Sequence, residues 1–230
     1  MENVFLKYMS QRLENEQGQT GEPGPVITIS REYGCYASRI GKLITEKINN
    51  HIKNDRKSRP WQIISKEVLE DAARKLDIDP KKIAHIFGAA EKHFMHDLVD
   101  SFSAKKYASD ANIKRMIKLV VTSYAEMGNV VIIGRAGCIF ARHIERSAHF
   151  KLAAPYEWRV QRIMERFSIE PPKARKNVDE NDERRKNFMA FFKGNKPDCE
   201  LFDMVFNRST MTEEEIVETI FLIGQHRKLF

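Results

Sequence analysis

Apolar residues along the chain fall into two periods. Short unbroken runs, "VITIS" from Val26, "WQII" from Trp61, "NVVIIG" from Asn129, "AHFKLAA" from Ala148 and "FDMVFN" from Phe202, read as buried strands. Between them apolar positions recur at intervals of three and four, as in Ile40, Leu43, Ile44 and Ile48, the stripe of a helix packed on a sheet. Two longer helical patterns, "KKIAHIFGAAEKHFMHDLVDSF" and "DANIKRMIKLVVTSYAEMG", fill residues 80–127 without a strand, and Gly128 closes the second. Helices also follow the later strands, in "YEWRVQRIMERF" behind Pro155 and in "TEEEIVETIFLIGQHRKLF". Strands alternating with helices predict an α/β fold in three layers, a mainly parallel five-stranded sheet with helices on both faces, interrupted by a helical insertion at 65–127.

Turn formers set the boundaries. "GQTGEPGP" separates a short helical pattern at 1–17 from the rest, so one folded domain is expected at 26–230 with residues 1–25 loosely attached. The mixed charged stretch "KARKNVDENDERRKNF" is expected on the surface, and its helical flanks suit a lid over 168–195. The aromatics of "FMAFF" after it suit core or hinge packing better than base stacking.

A chain of 230 residues supports one substantial core. No stretch has the roughly 18 apolar residues of a membrane helix, and the N-terminus lacks the apolar centre of a signal peptide, so a cytoplasmic protein with no membrane partner is expected. Three widely spaced cysteines, Cys35, Cys138 and Cys199, suit free thiols in a reducing compartment. The net charge of +7 implies an anionic partner: a nucleotide, a nucleic acid or an acidic protein surface. Because basic residues are interleaved with acids and no recognition module is visible, a nucleic-acid partner is the least favoured of these.

In a parallel sheet ligands bind beyond the carboxyl ends of the strands, where helix N-termini present free N–H groups to an anion. "SREYGCYASR" and "GRAG" both fall there. If Gly34 takes the fourth position of a phosphate loop, Ser38 lands where a hydroxyl would hold magnesium, Ala37 stands at the lysine position, and Tyr36 replaces a glycine. Arg39 is then the nearest cation, with Arg31 also beside the turn; the alternative is an ordinary strand-to-helix turn. Arg135 follows the strongest strand and can offer its fork to two phosphate oxygens, against the alternative of a surface arginine. Arg159, Arg162 and Arg166 share one helical face by spacing, which by itself suits a solvated stripe better than a ligand contact. Arg184 and Arg185 beside Asp182 serve if the charged stretch folds over a polyphosphate. His93 and His96 have metal-ligand spacing but no third ligand, and Cys35 has no histidine partner for nucleophilic work.

The ordered set "VITISREYGC", "VVIIGRAG", "LAAPYEWRVQRI", "DERRKNF" and "FDMVFN" resembles the cytidylate kinase-like family of P-loop nucleoside monophosphate kinases, over about residues 26–222. The resemblance implies a P-loop kinase fold and transfer of the ATP γ-phosphoryl group, with Mg2+, to a nucleoside monophosphate, CMP or dCMP first. It implies that Arg31, Gly34, Cys35, Tyr36, Ala37, Ser38 and Arg39 form the phosphate loop, with Ser38 the metal ligand. Arg135 then holds the acceptor phosphate, while Arg159, Arg162, Asp182 and Arg185 form the lid side over the ATP phosphates. Catalysis would rest on Arg39, Arg135, Asp182 and Arg185. Cys35, Tyr36 and Ala37 replace the family's small loop residues and Ser38 its arginine, and Ser65 stands where an Asp is usual. These departures favour an alternative, a nucleotide-binding relic without turnover that serves a regulatory or partner-binding role.

Overall fold

The computed structural model of the protein describes residues 23–55, 58–65, 110–194 and 196–230. The helical patterns expected at 1–17 and within 66–109, and the His93–His96 pair, lie outside the described residues. Residues 23–65 and 124–230 form one compact unit; of a second unit the helical turns from Asp110 to Ser123 are described.

Each apolar run forms a strand: β1 Val26–Arg31, β2 Gln62–Ile64, β3 Val130–Ile133, β4 Ser147–Ala153 and β5 Met204–Asn207. They make one sheet in the order β2-β3-β1-β4-β5, every pair parallel. The three inner strands, β3, β1 and β4, are the most buried because both faces of each are covered; Val26, Ile27 and Ile29 in β1 have no exposed surface. The helices are α1 Ala37–Ile52, α2 Asp110–Met127, α3 Gly137–Phe140, α4 Tyr156–Phe167, α5 Pro171–Lys193 and α6 Glu213–His226.

On one face Ile40, Ile44 and Ile48 of α1 and Ile216 and Ile220 of α6 pack with Ile27, Ile29, Val131, Phe150 and Phe206. On the other, Gly137 opens α3 so close to the sheet that a Cβ there would meet Ile132 at 2.9 Å. Gly128 follows α2 at φ 77°, the left-handed residue the sequence placed at that helix end. Helix α6 opens with a capping box: the Glu215 amide donates to the Thr212 hydroxyl, and the Thr212 amide donates to the Glu215 carboxylate. The charged stretch expected to form a lid is helical throughout, as part of the 23-residue α5.

Candidate active site

All the expected site residues lie at the carboxyl edge of the sheet or on the two helices beyond it. β1 ends at Arg31, and the loop Glu32–Tyr36 turns into α1. Two residues of that loop have positive φ, Gly34 at 93° and Tyr36 at 49°. Gly34 is required on a second ground, since a Cβ there would come within 3.1–3.3 Å of Arg159, two of the three nearest atoms being backbone. Tyr36 tolerates the left-handed conformation with its side chain held elsewhere. Its hydroxyl donates to the Arg162 carbonyl at 2.8 Å, and the Arg166 guanidinium lies 4.8 Å from its ring centre.

The turn after β3 is built around the same cleft. Gly134 has φ 71°, and a Cβ on it would strike the Arg31 guanidinium at 1.8 Å, so Arg31 lies directly against that turn. Arg135 and Ala136 follow at φ 53° and 55°, two successive non-glycine residues in the left-handed region. The Gly137 amide closes the turn on the Gly134 carbonyl at 3.0 Å. The Arg135 guanidinium lies 5.6 Å from the ring of Phe188 on α5, which brings the "GRAG" turn and the charged helix together.

The three arginines of α4 separate by depth along the helix. Arg159, in the first turn, has a side chain only 9% exposed and meets Glu32 and Asp182. Arg162 and Arg166, further along, are exposed; Arg162 pairs with Glu165 at 3.0 Å and lies 5.0 Å from the Trp158 ring. Asp182 accepts the Tyr33 amide at 2.8 Å, and Arg185 lies 3.7 Å from the same carboxylate and 5.1 Å from the Tyr33 ring. Burial pulls the Arg185 guanidinium below its ordinary value, and the neighbouring Asp182 opposes that. Arg39 is exposed and pairs with Glu213 at 2.7 Å.

Cys35 and Ala37 are buried beneath the loop, and Ser38 is exposed in the first turn of α1. Burial, then the charge of Glu32, pushes the Cys35 thiol up to about 12, so it stays protonated and is no nucleophile. All three cysteines are free. Among the described residues no three His, Cys, Asp or Glu side chains gather as a metal site. Magnesium bound through phosphate oxygens and water needs few protein ligands, and the exposed Ser38 hydroxyl suits that donor set.

Three participants escaped the sequence reading. Glu32 accepts the Ala154 amide at 3.1 Å, linking the β1 loop to the end of β4. Tyr33 supplies the amide and ring that receive Asp182 and Arg185. Arg208, directly after β5, is almost wholly buried; it donates to the Met211 carbonyl at 2.6 Å, and among the described residues its buried Nε has no hydrogen-bond partner. A usable signal was present, because an arginine ends or follows β1, β3 and β5 alike at Arg31, Arg135 and Arg208.

A five-stranded parallel sheet in this order, with a glycine-bearing loop from central β1 into a helix and arginines at the strand ends, defines the P-loop kinase class. Residues 26–210 match the cytidylate kinase-like family, and the chain belongs to it. The fold is similar to that of an uncharacterized protein from Eubacterium ventriosum at 16% identity and TM-score 0.62, covering 87% of this chain and 98% of the other. Shikimate kinase from Bacteroides thetaiotaomicron matches at 14% identity and TM-score 0.45, over 87% and 98% of the two chains. Shikimate kinase from Acinetobacter baumannii, in complex with shikimate, matches at 14% and 0.45, over 91% and 97%. No curated protein matches the chain.

Proposed function

We propose that the protein transfers the γ-phosphoryl group of ATP to a nucleoside monophosphate, CMP or dCMP, by in-line displacement with Mg2+. The observation that carries this reading is the chain of contacts at one sheet edge, Arg31 against the Gly134 turn that bears Arg135, Arg135 against Phe188 of α5, and Arg185 of α5 against Tyr33 of the loop before α1, in a chain of the cytidylate kinase-like family. The acceptor phosphate oxygen is already anionic at neutral pH, so no general base is required. Catalysis then consists of aligning two phosphates and neutralising their charge. The free N–H groups at the start of α1 serve the donor phosphates, Arg135 the acceptor phosphate and Arg185 the transferring group. Ser38 would hold the metal, which would supply positive charge to offset the charge developing on the transferring phosphoryl group.

The test is release of ADP from ATP and Mg2+ with CMP, dCMP, UMP, AMP or GMP offered in turn. Turnover is expected with a cytidine monophosphate. Arg135→Ala is expected to raise KM for that acceptor, and Arg185→Ala to lower kcat by roughly 10²-fold or more, the cost of losing one preorganised charge donor. Unchanged kinetics in either variant would remove that role. A second reading, nucleotide binding without transfer, is favoured by buried Ala37 at the lysine position and by the anchored Tyr36. ATP binding with no ADP release for any acceptor would select it.

A further inference from the structure

We infer that Arg159 is a positioning residue that ties the loop after β1 to α5 through Asp182 and thereby orients Arg185. This inference rests on the phosphotransfer reading above. Spacing alone grouped Arg159 with Arg162 and Arg166, but its surroundings are of another kind. Its Nε donates to the Ala154 carbonyl at 3.1 Å and lies 3.4 Å from the Glu32 carboxylate. Its Nη1 donates to the Tyr33 carbonyl at 3.2 Å and to Asp182. Two carboxylates therefore face one buried guanidinium. An incoming phosphate would have to displace an anion already bonded there, against the repulsion of the other.

The links run in one direction. Arg159 fixes one oxygen of Asp182, which leaves the other to accept the Tyr33 amide at 2.8 Å and to face Arg185 at 3.7 Å. Among the described residues, Nη1 of Arg185 is buried with no hydrogen-bond partner, a donor held close to the loop with its hydrogen-bonding capacity unused. Three segments distant in sequence, Glu32–Tyr33, Ala154 and Asp182, meet on a single side chain. A lysine at 159 keeps the charge but lacks the rigid fork needed to reach Ala154, Tyr33 and Asp182 together.

The experiment compares Arg159→Lys, Asp182→Asn and the double variant by amide hydrogen exchange across residues 32–37 and by steady-state kinetics. Lysine is chosen because a truncation would leave two buried carboxylates unpaired and threaten folding. Each single variant is expected to speed loop exchange. Each should also lower kcat by about 10–100-fold, the scale of a small misplacement of reacting groups, with KM for ATP changed far less. The double variant should be no worse than the more damaging single, because both break the same link. A rise in KM for ATP with Arg159→Lys that adds to the effect of Asp182→Asn would mark a direct phosphate contact and overturn the inference. So would unchanged loop exchange in both singles, or a lowered Tm with kcat intact. If the unaltered protein transfers no phosphoryl group, the exchange comparison still decides between a link and none, so the two readings fail separately.

Discussion

His149 sits in the middle of β4 with no exposed surface, its ring between the Thr28 hydroxyl at 2.8 Å and the Ser147 hydroxyl at 3.1 Å. Burial drives the imidazole down to about 4, and Asp203 only partly opposes it. The unfolded chain therefore binds this proton more readily than the folded one between about pH 6.5 and 4. The resulting stability is complete above pH 6.5 and is lost as pH falls toward 4, amounting to roughly 3 kcal/mol. Urea unfolding at pH 7.5 and 4.5 should show that loss, and His149→Gln should reduce it; an unchanged pH dependence would contradict the assignment. Tyr36 is a balance of comparable terms. Its left-handed backbone costs about 1–2 kcal/mol, while its hydroxyl bond and the Arg166 contact together return about the same. Tyr36→Gly should shift stability by less than about 1 kcal/mol in urea unfolding, because relief of the backbone offsets the lost contacts.

Among the elements, the strands were legible because a parallel strand is covered on both faces: "VVII" is apolar throughout, and the polar Thr28 of "VITIS" is itself buried against His149. Their order was not, since nothing local in β1 says that β3 and β4 will flank it. The cap of α6 could be read directly from Thr212 and Glu215, and Thr212→Ala should cost about 1 kcal/mol in thermal or urea unfolding. An effect under about 0.3 kcal/mol would mean the box adds little here. Helix α5 was legible as a charged helix, but its attachments were hidden. Tyr156 donates to Asp179, the Tyr33 amide to Asp182, and Lys193 to Asp198, which also accepts Lys151; each partner but one comes from outside the helix and its own neighbourhood in sequence. The α4 arginines failed to act as one stripe for a related reason. Residues 159 and 166 share a face but stand about 10 Å apart along the axis, so only the first reaches the sheet edge where Glu32 and Asp182 lie.

For the whole molecule, the sheet brings segments from residues 31, 135, 159, 185 and 208 to one edge, and each brings an arginine. That convergence follows from parallel topology, which sends every strand end to the same side. Local sequence showed the loop, the "GRAG" turn and the charged helix separately; the fold supplies the contacts of Arg31 with Gly134, Arg135 with Phe188 and Arg185 with Tyr33. Ala37, at the lysine position of the expected phosphate loop, is buried, so in the proposed transfer charge neutralisation would fall to arginines brought from other elements. The most direct measurement is phosphorus NMR of the protein with ATP, Mg2+ and CMP, following where the γ-phosphoryl group goes. The account predicts ADP and CDP appearing in equal amounts, with Arg135→Ala suppressing both. ATP that binds but stays intact, or ADP that forms with inorganic phosphate in place of CDP, would contradict it.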